Sequence, residues 1–133
     1  MDVEVESEAR AMDDLKTADL VIEVREEPTP PTLVLSWRGR SADRYPSRVL
    51  GPFFAEALDR AAATGAAVEM RFHALEHFNS STITAVIELI QDARARGVRL
   101  VIAYDGGVKW QRLSFDALRV FNKGDALMEL RPS

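Results

Sequence analysis

The sequence predicts a small α/β sandwich: a mixed, mostly parallel sheet of about five strands with three or so helices packed against it. From Gly51 onward, helix-like and strand-like runs alternate three times. That alternation calls for parallel strands joined by right-handed crossovers. Before it, two strand-like runs flank a proline-rich turn, a hairpin that adds an antiparallel neighbour. The chain has 133 residues and is 47% hydrophobic, enough for one domain with its own core.

Residues 1–17 carry six acids and two bases, a net −4 that equals the charge of the whole chain. They are expected to form an acidic flexible tail, with a nascent helix around Glu8–Lys16, ahead of one domain at 18–133. "DLVIEVREE" alternates and is rich in branched residues, which predicts a strand at about 19–26. "PTPP" (Pro28–Pro31) turns the chain. "TLVLSWRGR" predicts the second strand, at about 32–39.

"SADRYPSRVL" reads as an irregular connection. "GPFFAEALDRAAATG" predicts a helix with Phe54, Leu58 and Ala61 on one face, Phe53 and Ala57 beside them, and Gly65 as its stop. "AAVEMRFH" places Val68, Met70 and Phe72 inward along a strand. Ile83, Val86, Ile87 and Ile90 then recur at helical spacing, up to Arg96 and Gly97. "VRLVIAYD" predicts a strand buried on both faces. In "VKWQRLSFDALRVF", Trp110, Leu113, Ala117 and Phe121 share a helical stripe, with a break expected near Ser114. "DALMELRPS" predicts a last edge strand.

Composition excludes several classes of function. Without cysteine there is no disulfide, thiolate metal site or cysteine nucleophile, which fits a cytoplasmic setting. No apolar run approaches the ~18 residues of a membrane span. With the tail's charge set aside the body is neutral, without the basic footprint of a nucleic-acid binder. His73 and His77 lack a third ligand, so no metal is expected. "YDGGVKW" lacks the spacing of a phosphate loop, and Asp105 has no visible base or nucleophile beside it. No catalytic residue and no cofactor is therefore expected. Arg38, Arg40, Arg44 and Arg48 make a basic cluster suited to a solvated loop, an acidic partner or a phosphate.

The stretch "HFNSSTITAV" puts four small polar residues, Asn79, Ser80, Ser81 and Thr82, at the start of the second helix. One of them suffices to cap a helix. A hydroxyl there also lies at the positive end of the helix dipole, where a phosphate would be stabilised.

The order of elements, with "VEMRFHALEHFNSSTITAVIELIQDARARGVRLVIAY" and "VKWQRLSFDALRVF" in their places, resembles the STAS domain of anti-sigma-factor antagonists. The resemblance covers about residues 19–131, and the chain reads as a divergent bacterial member. It implies a non-enzymatic regulatory module whose loop serine is phosphorylated by a serine kinase that is also an anti-sigma factor. Carried over by position, Asn79 stands where the family has Asp, Ser80 at the phosphorylated serine, Ser81 next to it, and Thr82 where the family has Gly. Ser80, Ser81 and Thr82 are thus the phosphorylation candidates. Asn79, Thr84, Glu88, Leu89 and Gln91 are the expected contacts with a kinase-type or phosphatase-type protein partner. Two alternatives stand beside this: a domain binding a nucleotide or other anion at the same loop, and a subunit of an assembly such as a homodimer.

Overall fold

A computed structural model describes residues 12–133. The strands are β1 (Leu15–Lys16), β2 (Leu20–Pro28), β3 (Pro31–Ser41), β4 (Ala67–Phe78), β5 (Leu100–Tyr104) and β6 (Met128–Pro132). The helices are α1 (Ser47–Thr64), α2 (Ser80–Ala95) and α3 (Lys109–Asp116), and a 3-10 turn (Ala117–Phe121) continues α3. The strands lie in sequence order, β1 to β6. The β1–β2 and β2–β3 pairs are antiparallel, and β3 to β6 pair in parallel.

The sixth strand is the short β1. Met12 is buried, and Leu15 packs against the core opposite Ile22. The domain therefore includes residues ahead of the boundary expected at residue 17. The rest of the expected acidic tail, residues 1–11, lies outside the described residues. The apolar side chains at positions 12 and 15 draw this segment onto the β2 edge, and the Asp14 carboxylate accepts from the Val24 amide at 2.8 Å.

Sequential strand order with right-handed crossovers puts all three helices on one face of the sheet. The core lies between them. Ile22, Leu33, Leu35, Trp37, Val68, Met70, Phe72, Leu100, Ile102 and Tyr104 face the helices. From α1, the expected Phe53, Phe54, Ala57, Leu58 and Ala61 meet them. Gly65 ends α1 at φ 69°, a left-handed conformation that costs glycine little. Among the described residues the opposite face has no helix. There Val34, Val101 and Ala103 are buried, yet they stand apart from the core. Long charged neighbours surround them: Arg131 reaches Glu129 at 3.0 Å and Glu69 at 3.5 Å, and Arg99 also pairs with Glu129. The hydrogen bond from Arg131 holds the Glu129 carboxyl below the usual carboxylate range, against a partial desolvation that pushes it up. β5 is buried on both sides as expected, and among the described residues it is side chains of the sheet that surround it on the second side.

Two helices turn differently from their sequence stripes. α2 buries Thr82, Ala85, Val86, Leu89, Ile90 and Ala93, while Ile83 and Ile87 are only partly buried. Leu89, expected at a partner surface, is 2% exposed and belongs to the core. In α3 the buried residues are Gln111 and Phe115, followed by Leu118 in the 3-10 turn. Of the predicted stripe, Leu113 and Ala117 are exposed while Trp110 and Phe121 pack at the core's margin, and the helix changes character after Asp116 rather than at Ser114.

Candidate functional site

The stretch Asn79–Thr82 lies at the carboxyl end of β4, beside the end of β3 and the β3–α1 connection. In sheets of this kind ligands and partners are commonly met at that end. Asn79 is the N-cap of α2, with extended backbone at φ −94° and ψ 175°. Its Oδ1 accepts from the Thr82 amide at 2.9 Å and from the Thr82 hydroxyl at 2.8 Å. Its Nδ2 donates to the Asp43 carbonyl at 2.8 Å, and its own amide donates to the Ser41 carbonyl at 3.0 Å. Thr82 has a single hydroxyl proton, which goes to Asn79, so Ser41 donates to Thr82 Oγ1 across 2.7 Å. Ser41 is 3% exposed and Thr82 is fully buried.

This network accounts for the amide at position 79 and the hydroxyl at position 82, where the STAS pattern has Asp and Gly. A carboxylate at position 79 could cap the helix but could not donate to Asp43, so the amide latches the β3–α1 connection. A glycine at position 82 would leave Ser41 without its buried partner. Asn79 is accordingly taken up by the cap. Of the three expected acceptors, Thr82 is withdrawn from solvent: it is the third residue of the helix and turns inward, where its hydroxyl is already bonded. Ser80 and Ser81 are exposed, and neither side chain makes a hydrogen bond among the described residues. Thr84, Glu88 and Gln91 are exposed along α2.

Around the cap, Asp43 accepts from the Tyr45 amide at 3.0 Å. Tyr45 is 53% exposed, with the Arg48 guanidinium 4.8 Å from its ring centre. The four arginines of the sequence cluster divide: Arg38 pairs with Glu23 at 2.8 Å, whereas Arg40, Arg44 and Arg48 are exposed and make no ion pair among the described residues. A cleft of about 300 Å³ separates the β1–β2 turn from the β3–α1 connection, lined by Thr17, Asp19, Arg40, Ser41, Asp43 and Leu50 among others. Gly39, next to the lining residue Arg40, lets β3 pass close to Asp19: at φ 92° a Cβ would sit 2.2 Å from the Asp19 carbonyl oxygen.

The remaining candidates resolve into structural roles. Asp105 accepts from the Gly107 amide at 2.9 Å and closes a turn. His73 and His77 both lie on β4, which runs further than predicted, and His73 meets the Ser133 hydroxyl at 2.9 Å. Among the described residues no three His, Cys, Asp or Glu side chains gather as a metal set. No helix among them is long and apolar enough to cross a membrane.

Sequence reasoning missed Gln111. It is 1% exposed and donates to the Phe72 and Leu75 carbonyls at 2.7 and 3.1 Å, while accepting from the Asp105 amide at 2.8 Å. β5 pairs with β4 only as far as Arg71, and Gln111 satisfies the strand edge beyond it. A polar residue in the register of Phe115 and Leu118 was the available signal. Trp110 packs edge-on against Phe78 at 5.1 Å, directly before the cap.

No family model and no curated protein matches this sequence. Among solved structures the chain is similar to an uncharacterized protein of the DUF3478 family with a SpoIIAA-like fold, from Shewanella loihica PV-4. The TM-score is 0.53 and the identity 12%, over 90% of each chain. Strand order, helix placement and this likeness together show that the chain has the SpoIIAA-like fold, which is the STAS fold, in a divergent sequence.

Proposed function

We propose that the chain is a non-enzymatic regulatory protein-interaction module, switched by phosphorylation of Ser80 or Ser81. The observation that carries this reading is a division of labour within four residues. Asn79 and Thr82 complete the cap, and Ser80 and Ser81 stand outside it, exposed and unbonded. A phosphate on either serine would therefore leave the cap's hydrogen bonds intact. It would add about −1.5 to −2 charges at the head of α2. A partner resting on Thr84, Glu88 and Gln91 would meet new charge and bulk at the edge of its footprint. The partner in this reading is a cytoplasmic serine kinase or phosphatase-type regulator, as for anti-sigma antagonists.

The test is to purify the protein from its native cells and map phosphorylation by mass spectrometry. Trypsin releases Phe72–Arg94, which holds every candidate hydroxyl of the site. Phosphate on Ser80 or Ser81, with partner capture that differs between Ala and Asp at that position, is the expected result. A fully covered peptide without phosphate across growth and stress conditions overturns the reading.

The cleft beside the cap supports a second reading, a site for a small ligand. Its mark would be a rise in melting temperature on adding a nucleotide or other anion to unphosphorylated protein. Substitution of Arg40 would abolish that rise.

A further inference from the structure

α3 and the 3-10 turn carry an exposed apolar strip, Leu113, Ala117 and Val120, bordered by Trp110 and Phe121, which pack against the core. Leu113 is 58% and Val120 78% exposed, Ala117 is exposed, and Trp110 and Phe121 are partly buried. Gln111 occupies the inward register and so turns these residues out. Lys109, Arg112, Arg119 and Lys123 flank the stripe and are all exposed. Asp116 stands among them, accepts from the Tyr104 hydroxyl at 2.9 Å and pairs with Arg119 at 3.4 Å. Lys109, Arg112 and Lys123 make no ion pair among the described residues, so residues 109–123 carry a net +3. An exposed apolar strip with cationic edges fits an acidic segment that also carries apolar side chains.

Such a segment is present in the same sequence. Residues 1–11, "MDVEVESEARA", hold four acids and one base, a net −3, with Val3 and Val5 between the acids. We propose that the stripe of α3 and the 3-10 turn is the docking surface for residues 1–11 of a second copy of this chain. Reach favours the second copy over the same one. Met12 sits on the β1 side of the sheet, and α3 lies over its far side. α3 packs over β4 and β5, three to four strand spacings or about 14–19 Å away, and the path must also climb over α1 and α2, each about 10 Å across. Eleven residues extend at most about 40 Å. In its own chain the segment would be spent crossing that distance, with little left to lie along the stripe. Between two copies the exchange can be reciprocal and close as a two-fold dimer. This association is independent of the proposed phosphorylation.

The chain lacks cysteine, so a single introduced thiol is a clean probe. Val3→Cys and Val120→Cys would be made separately, mixed at low salt and oxidised with oxidised glutathione. The proposal expects a mixed disulfide dimer in excess of either homodimer. Its yield should fall about tenfold at high salt, where the Debye length shrinks to ~3 Å. Analytical ultracentrifugation of the full chain should show a concentration-dependent mass. That dependence should be lost in Val120→Glu and in the triple variant Glu4→Gln, Glu6→Gln, Glu8→Gln. Val120 is exposed, so its variants should keep the far-UV spectrum of the folded chain. A full chain that stays monomeric at low salt overturns the proposal. So does self-association that survives both variants, or a Val120→Cys homodimer forming faster than the mixed one. Val120-dependent binding to phosphatidylserine vesicles by a monomeric chain also overturns it and assigns the stripe to a membrane surface.

Discussion

Ser81 and Thr82 are neighbours in sequence, and the turn of the helix sends their hydroxyls to opposite environments. Thr82→Val keeps the shape but removes the hydroxyl that Ser41 and Asn79 share, and it should cost about 1–3 kcal/mol. Ser81→Ala removes a hydroxyl that bonds to nothing described and should stay within about 0.5 kcal/mol of the parent. Urea unfolding of the two variants reads the difference directly. Equal losses would mean that Ser81 takes part in the cap. A second residue-scale expectation concerns Tyr104. Burial raises its phenol above the ordinary range, and Asp116 raises it further. In the unfolded chain the phenol ionises near ~10. Its contribution to stability is therefore fully present below about pH 10 and is lost as the pH rises through the higher folded value. Urea midpoints should fall with rising alkalinity more steeply for the parent than for Tyr104→Phe.

At the scale of elements, Gln111 joins α3 to β4 and β5 through three backbone groups. Gln111→Leu fits the apolar surroundings but strands two buried carbonyls and the partly buried Asp105 amide. It should cost about 3 kcal/mol, since unmet buried groups carry their full desolvation penalty. Denaturant midpoints of Gln111→Leu and Gln111→Glu would test this. A neutral Leu variant would show that the strand edge is met by water. Gln111 also explains why α3 departs from its sequence stripe. Hydrophobic periodicity marked Trp110, Leu113, Ala117 and Phe121, but three backbone hydrogen bonds and the rings of Phe72 and Tyr104 around Phe115 hold the other register inward. α2 shows a smaller version of the same effect. Its predicted stripe keeps Val86 and Ile90 in the core, but the buried face also takes Ala85 and Leu89 and leaves Ile83 and Ile87 at its margin.

For the whole molecule, one aromatic system runs from Trp37 through Phe72 and Phe115 to Tyr104, with ring centres 4.6–5.0 Å apart. It joins β3, β4, α3 and β5, so these elements should unfold together. Fluorescence of Trp37 in Trp110→Phe, fluorescence of Trp110 in Trp37→Phe, and far-UV circular dichroism should give coincident urea transitions once each variant is referred to its own midpoint. An early Trp110 transition would show α3 melting by itself. Much of this architecture was legible in the sequence. The alternation of strand-like and helix-like runs after Gly51, the hairpin at Pro28–Pro31 and the polar cap at Asn79 are local patterns, and local patterns survive in the sequence. Tertiary contact decided the rest. It recruited Met12 and Leu15 to a sixth strand, rotated α2 and α3 about their axes, and sorted three adjacent hydroxyls into one buried and two exposed. Helix phase and burial depend on which distant surface a residue meets, and residues such as Ser41 and Phe72 are brought to Thr82 and Gln111 only by the fold.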